Sequence, residues 1–288
     1  MTRRAKAPLV FCAGGTGRLG RLLVPRLLAR GARVRVLTRQ PGQARAWVGE
    51  GAELAGGDLD DPQAVRAALQ GATHAFVLSP IAPALVAQQL AVVEAARAAG
   101  VGHVVKLSGS DWTLEPPGRS LSGDAHRQVE QALAATGLPH VVLRPNAWMQ
   151  VALGRIVQEL RVGDAITSAH GEARVSYIDA RDIADVAVRA LLDGPELLPS
   201  LPGPWVLTGA QALDFTAIAA LAARFTGRAI AYRPARAATG LSPFVAQVHA
   251  QFAELIGEGA AEAATDTVAR VLGRAPRTVE DFLAQQLG

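Results

Sequence analysis

Apolar runs alternate with amphipathic stretches from the start of the chain. Pro8–Ala13 reads as a buried strand, and Arg18–Arg30 as a helix with Leu19, Leu22, Leu23, Leu27 and Leu28 on one face. Ala32–Thr38, where arginines alternate with Val34, Val36 and Leu37, reads as a second strand. Helical Gln43–Gly49 leads to a short strand at Ala52–Ala55, and Asp61-Pro62 opens a helix to Gln70. The same rhythm predicts strands at Thr73–Leu78, Gly102–Leu107 and His140–Leu143, with helices at Pro83–Ala99 and Ser122–Thr136 between them. Strand and helix alternating at this spacing predict right-handed crossovers and an α/β, doubly wound, mostly parallel sheet covered on both faces.

After Pro145 the rhythm changes. Asn146–Leu160 reads as helix, Val175–Ile178 as a short strand and Ala180–Leu192 as a helix. A proline-rich loop at 194–204 follows, then a strand at Trp205–Thr208, two or three helices from Phe215 onward and a strand near Ala229–Tyr232. The expected organisation is a nucleotide-binding domain over 1–150, with return segments at about 175–193, and a smaller mixed lobe over 151–288. Open sheets of this kind bind ligands at the carboxyl ends of their strands, so the lobe is expected to close that side.

The glycines sharpen the picture. In VFCAGGTGRLGRLL, Gly14, Gly17 and Gly20 stand between one strand and one helix, with Gly15, Thr16, Arg18 and Leu19 completing the turn. Gly14 permits the tight turn, Gly17 lets backbone approach a pyrophosphate, and Gly20 lets helix pack on strand. The phosphates then meet the unpaired amides of the helix N-terminus, a Rossmann-type cofactor cradle. At the end of the second strand, NAD-specific sites carry a carboxylate for the ribose 2′-hydroxyl; here Thr38 and Arg39 stand there instead. An arginine pairs with a 2′-phosphate, so the expected cofactor is NADP(H), with Arg18 assisting. Asp58-Leu59 in GGDLDDP carries two readings: an acceptor and packing surface for adenine, or part of a helix cap that Asp60 or Asp61 already serves.

Composition removes other classes. Half the residues are hydrophobic and 19% are charged, yet no apolar run reaches the ~18–20 residues needed to span a bilayer. The basic N-terminus runs into the folding-critical glycines, so no export signal is read and a cytoplasmic location is expected. Cys12 is alone, which excludes an internal disulfide, and its apolar setting reads as a core thiol. The six histidines lack metal-ligand spacing, so no metal site is expected. The net charge of +4 is scattered, which speaks against nucleic acid. The expected partner is a small-molecule substrate, and the expected state monomer or homodimer.

AGGTGRLG, LTRQ, GDLDD, LSGSD, LRPNAWMQ and YIDARDIADVA, in that order, resemble the NmrA-like group of atypical short-chain dehydrogenases/reductases over about residues 8–235. The resemblance implies a Rossmann domain with a small C-terminal lobe, an NADP(H) preference, and an activity drawn from quinone, triphenylmethane-dye, ketone and ether reduction or redox sensing without turnover. It places Ser79-Pro80 along the ribose and nicotinamide, Ser108 at the superfamily's catalytic serine, and Pro145, Asn146 and Trp148 beside the nicotinamide.

The chain departs from the superfamily at the proton donor, a tyrosine followed four residues on by a lysine. Its two tyrosines, Tyr177 and Tyr232, are followed instead by Arg181 and Arg236, and neither Lys6 nor Lys106 is spaced to complete such a pair. The helix that should carry the motif reads DAHRQVEQAL, with His126 and Glu130 at i,i+4. Either His126 donates the proton, steadied by Glu130, or solvent supplies it; the plain alternative for His126 is a surface residue of its helix. Ser108 faces cofactor or substrate, or else bonds its own loop. Asp111, Trp112, Trp148 and Met149 offer an apolar pocket for a flat substrate, or Trp148 simply buries the lobe. Asp179 and Asp182 precede a helix and read as caps. The expected activity is an NADPH-dependent reductase delivering hydride to a quinone, enone, ketone or imine. A non-catalytic NADP(H) sensor is the alternative, and a sugar-nucleotide epimerase or dehydratase, which needs the missing tyrosine, a more distant one.

Overall fold

The computed structural model describes residues 7–194, 201–234 and 240–287. Its first half alternates β1 (Leu9–Cys12), α1 (Gly20–Ala29), β2 (Arg33–Thr38), α2 (Pro41–Val48), β3 (Glu53–Gly56), α3 (Pro62–Leu69), β4 (His74–Val77), α4 (Leu85–Ala98) and β5 (His103–Leu107). It continues through a short α5 (Asp111–Leu114), α6 (Leu121–Ala135) and β6 (His140–Pro145). Then come α7 (Met149–Ala152), α8 (Gly154–Val162), β7 (Ala165–Ser168), α9 (Ala180–Asp193), β8 (Trp205–Leu207), α10 (Phe215–Thr226) and β9 (Ala231–Pro234). The chain finishes with α11 (Pro243–Gly257), α12 (Thr267–Leu272) and α13 (Val279–Leu287).

Seven strands form one sheet in the order β3-β2-β1-β4-β5-β6-β8, and the pairings from β3 through to β6 are all parallel. The order reverses after β1, which is the doubly wound α/β arrangement anticipated above. β1, covered on both faces, buries all four of its residues. β2 lies nearer the edge, and its arginines alternate outward, where Arg33 and Arg35 both bind Glu53 of β3. Leu9, Phe11, Val77, Val104, Val129 and Leu133 belong to the core cluster on one side of the sheet.

The chain divides into two compact units that interleave along the sequence. One holds residues up to 108, 125–143 and 184–205; the other holds 109–124, 144–183 and 206–288. In the second unit a core of Met149, Leu153, Ile156, Tyr177, Phe215 and Phe282 packs α7, α8, α10 and α13 together, beside a small parallel pair β7-β9.

Four local expectations are revised. Helix α1 starts at Gly20, because Arg18 and Leu19 are still part of the turn. The predicted helix Asn146–Leu160 is two helices preceded by extended backbone, since Met149 donates to Ile178 O and Ile178 donates to Ala147 O, drawing Trp148 into a bridge with Ile178. Val175–Ile178 accordingly makes single bridges at its ends and no continuous strand. β7 was unforeseen, its AITS too short and too mixed to stand out. Of the loop at 194–204, residues 195–200 lie outside the described residues. Among those residues, no helix is long and apolar enough to cross a membrane.

Candidate functional site

The turn from Gly14 to Gly20 links β1 to α1, and its glycines meet different demands. Gly14 has φ +67°, a conformation costly for any residue with a Cβ, and lies against Leu78 O at the end of β4. At Gly15 a Cβ would stand 2.7 Å from Val36 of β2. At Gly20 it would stand 2.3 Å from the carbonyl of Gly15, so this glycine lets α1 press on the turn itself, where helix-on-strand packing was expected. Gly17 is exposed and faces only Gly14 O, at 3.2 Å. Its amide donates to Gly14 O, and the amide of Arg21 donates to Gly17 O. The result is a backbone cradle at a helix N-terminus, the geometry that holds a pyrophosphate. Arg18 is exposed beside it. A residue the sequence did not single out braces the turn. Arg21 donates through Nε to Thr16 O at 3.0 Å while its guanidinium lies 4.0 Å over the Trp47 ring. Cys12 is buried beneath, and burial pushes its thiol up to about 12, the behaviour of an inert core residue.

At the end of β2 the Arg39 side chain is 79% exposed, with Nε 3.7 Å from Asp58 Oδ2. That is a loose, solvated contact, and it leaves the guanidinium able to turn toward a ligand. Asp61, not Asp58, caps α3 by accepting from Gln63 N at 2.9 Å, while Asp58 accepts from Asp60 N. Leu59 packs on the edge of the core. After β4, Ser79 is buried and accepts from Gln89 Nε2 at 3.2 Å; Pro80 is exposed. Gln89 is itself 1% exposed, yet its Oε1 has no hydrogen-bond partner among the described residues. A glycine cradle, a solvated arginine at the β2 end and an orphaned buried amide oxygen at the β4 end fit a dinucleotide.

The end of β5 carries the densest chemistry. Every residue of this strand is buried, Lys106 among them at 0% exposure. Alternation along the strand puts Val104, Lys106 and Ser108 on one face. The helical spacing of His126, Val129, Glu130 and Leu133 makes one stripe of α6, and Val104, Val129 and Leu133 share a core cluster. Lys106 Nζ lies 3.0 Å from His126 Nδ1 and donates to Ser108 Oγ at 3.2 Å and to Leu107 O at 3.4 Å. Ser108 Oγ in turn donates to Glu130 Oε1. Burial, and the Lys106 ammonium beside it, hold the His126 pKa well below the usual imidazole value. His126 is therefore no surface residue: it is 4% exposed and neutral at pH 7. Its helical neighbour Glu130 binds Ser108, and Lys106, which no spacing rule connects to a helix, takes the ring nitrogen.

The remaining candidates belong to the second unit. Asp111 accepts from Arg144 at 2.7 Å. Asn146 is fixed through both ends of its amide, Oδ1 accepting from Trp112 Nε1 at 2.8 Å and Nδ2 donating to Ala261 O. Pro145 O accepts from Ser110, and Trp112 meets Phe252 edge-on. Trp148 is half-buried; Met149, at 1% exposure, is a core residue and not a pocket wall. Asp179 receives Arg181 and its own cap bond, and the wholly buried Asp182 receives Arg274 and Arg277. Tyr177 is buried with no partner for its hydroxyl among the described residues. Among those residues no group of three or more His, Cys, Asp or Glu side chains is placed to hold a metal ion.

A doubly wound sheet with a glycine cradle at the first strand-to-helix turn defines a dinucleotide-binding protein of the Rossmann class. Comparison with known proteins narrows the class. The NAD(P)H-binding family matches residues 14–194. An NAD(P)H azoreductase of Xenophilus azovorans is 31% identical over 285 residues, covering 95% of this chain and 96% of that protein. A (4-alkanoyl-5-oxo-2,5-dihydrofuran-3-yl)methyl phosphate reductase of Streptomyces griseus is 31% identical over 287 residues, covering 96% of this chain and 97% of its own. An NADPH-dependent quinone oxidoreductase of Escherichia coli, solved with NADPH, shares the fold with a TM-score of 0.83 at 22% identity, covering 97% of this chain and all of that one. The chain belongs to the NAD(P)H-binding family.

Proposed function

We propose that this protein is an NADPH-dependent reductase of small, largely apolar electrophiles whose reducible bond is conjugated or polarised: a quinone, an enone, a ketone or an imine. The observation that carries the reading is the buried Lys106–Ser108–His126–Glu130 group at the carboxyl end of β5, where open sheets of this class bind their ligands. The named relatives reduce an azo compound and an oxo-dihydrofuran phosphate, two further acceptors with conjugated unsaturation.

The glycine turn holds the diphosphate, Arg39 with Arg18 the 2′-phosphate, and Ser79 and Pro80 the ribose; Asp58 and Leu59 border the adenine. Bound nicotinamide supplies the hydride. The chain's own part is to orient the acceptor, exclude water and provide a proton at the end of β5. The first unit, with the glycine turn, Arg39 and the strand ends of β4 and β5, serves the cofactor, and Trp112 and Trp148 of the second unit are the candidates for the acceptor. A buried thiol with no disulfide suits a reducing, cytoplasmic setting.

The test is NADPH consumption by the purified protein against a naphthoquinone, an azo dye, a cyclic enone and a cyclic imine. Turnover with at least one is expected. Tight NADPH binding with no turnover would instead support the sensor reading.

A further inference from the structure

A lysine with no exposed surface at the end of a core strand needs a reason, since burying its charge is expensive unless the charge is used or compensated. Compensation is present. Lys106 donates to Ser108, which donates to Glu130, so cation and carboxylate are joined through one hydroxyl. Use is suggested by the third contact. Lys106 Nζ and His126 Nδ1 are 3.0 Å apart, and an ammonium can only donate. The acceptor must be Nδ1, and a neutral ring then carries its proton on Nε2.

We propose that Lys106 is the positioning residue of a neutral-imidazole relay: it holds His126 as the Nε2–H tautomer and replaces, through Nδ1, the proton that Nε2 releases. The delivery half of this proposal rests on the reductase reading above; the tautomer half does not. When hydride adds to the acceptor's carbon or nitrogen, the electron pair displaced onto the partner heteroatom takes the Nε2 proton. Nδ1 takes a proton from Lys106 Nζ in the same movement and the amine is left neutral; afterwards Nε2 takes a proton from solvent while Nδ1 returns its own to the amine, which regenerates the Nε2–H tautomer and the ammonium. The ring never becomes imidazolium, so its depressed basicity does not hinder it. The charged group that bears on the ring is Lys106 from β5; Glu130, one helical turn on in the same helix, meets the Ser108 hydroxyl that Lys106 also binds. A lysine thereby serves this site from the strand, where the superfamily's lysine comes from the helix.

The test combines histidine-ring 1H–15N NMR with kinetics on the full chain, using 1,4-naphthoquinone as acceptor. In the wild type, His126 is expected to show a protonated Nε2 and a bare Nδ1 throughout ~pH 6–8. In Lys106→Met the ring should become a mixture of tautomers, kcat should fall ~100-fold or more, and the KM for NADPH should stay near wild type. Lys106→Arg, which keeps the charge and donor but cannot release a proton, should hold the tautomer and still lose kcat. A wild-type ring protonated on Nδ1, or a folded Lys106→Met with unchanged tautomer, kcat and pH profile, overturns the proposal. If Lys106→Met does not fold, the wild-type spectrum and Lys106→Arg decide. If the wild type reduces no acceptor, the reductase reading fails while the tautomer half is still judged by NMR.

Discussion

Lys106 Nζ stands 3.0 Å from His126 Nδ1, although the two residues lie on different elements and share no sequence spacing. This contact turns a histidine with an ordinary helical environment on paper into a buried, neutral ring facing a cation. Together with burial it also makes the stability of the fold depend on pH.

His126 is held below its unfolded pKa of ~6.5 by burial first and by Lys106 second. Between the two pKa values the unfolded chain binds a proton that the folded one refuses. Stability is therefore full above ~pH 6.5 and is lost as pH falls from there toward the folded value, at up to ~1.4 kcal/mol per pH unit for this group. His74 and His170, also lowered by burial, pull in the same direction. Urea unfolding at a series of pH values should show this slope, and His126→Gln should make it shallower. An equal slope in the variant would mean that His126 is not the group responsible.

Gly20→Ala places a methyl group 2.3 Å from the Gly15 carbonyl, backbone against backbone. No rotamer relieves that contact, so α1 must move off the turn. A loss of about 2–3 kcal/mol in thermal or chemical unfolding is expected, together with at least a tenfold weaker NADPH affinity by calorimetry.

Arg39→Glu removes the solvated guanidinium at the end of β2 and sets a carboxylate beside Asp58, which lies 3.7 Å away in the native protein. The preference for NADPH over NADH should drop by ~10–100-fold, the worth of one charge-assisted contact reversed. Unchanged relative affinities would remove Arg39 from the cofactor site.

Asp182 has no exposed surface and receives Arg274, Arg277 and the Arg277 amide. Asp182→Ala removes the carboxylate these donors share and should cost about 3 kcal/mol, the low end for a broken buried pair because both arginines retain solvent contact. NADPH affinity of the folded fraction should not change, which separates this aspartate from the catalytic candidates.

Tyr177→Phe should act in the opposite sense. Its buried hydroxyl finds no partner among the described residues, and removing it should raise stability by ~1 kcal/mol with no loss of reductase activity. Burial, with Asp214 behind it, also pushes the phenol pKa upward, which makes this tyrosine a poor proton donor. A large drop in kcat would restore it as the missing acid.

Local sequence determined the alternating elements, the parallel sheet and the glycine turn, because each depends on residues adjacent in sequence: apolar spacing for strand and helix, glycine where φ must be positive, proline and aspartate at helix starts. Arg39 was nominated in the same way, its position being counted from the end of a strand. The kinked entry to α7, the core placement of Met149 and the bracing of the turn by Arg21 and Trp47 were not, since each follows from partners distant in the chain. The same holds at the reacting end. Serine, histidine and glutamate could be nominated from their strand end and helix face, but the lysine that binds the serine and the histidine was set aside because spacing along one helix excluded it. Only the packing of α6 on β5 brings Lys106 to His126, for a buried charge takes its meaning from what surrounds it in space.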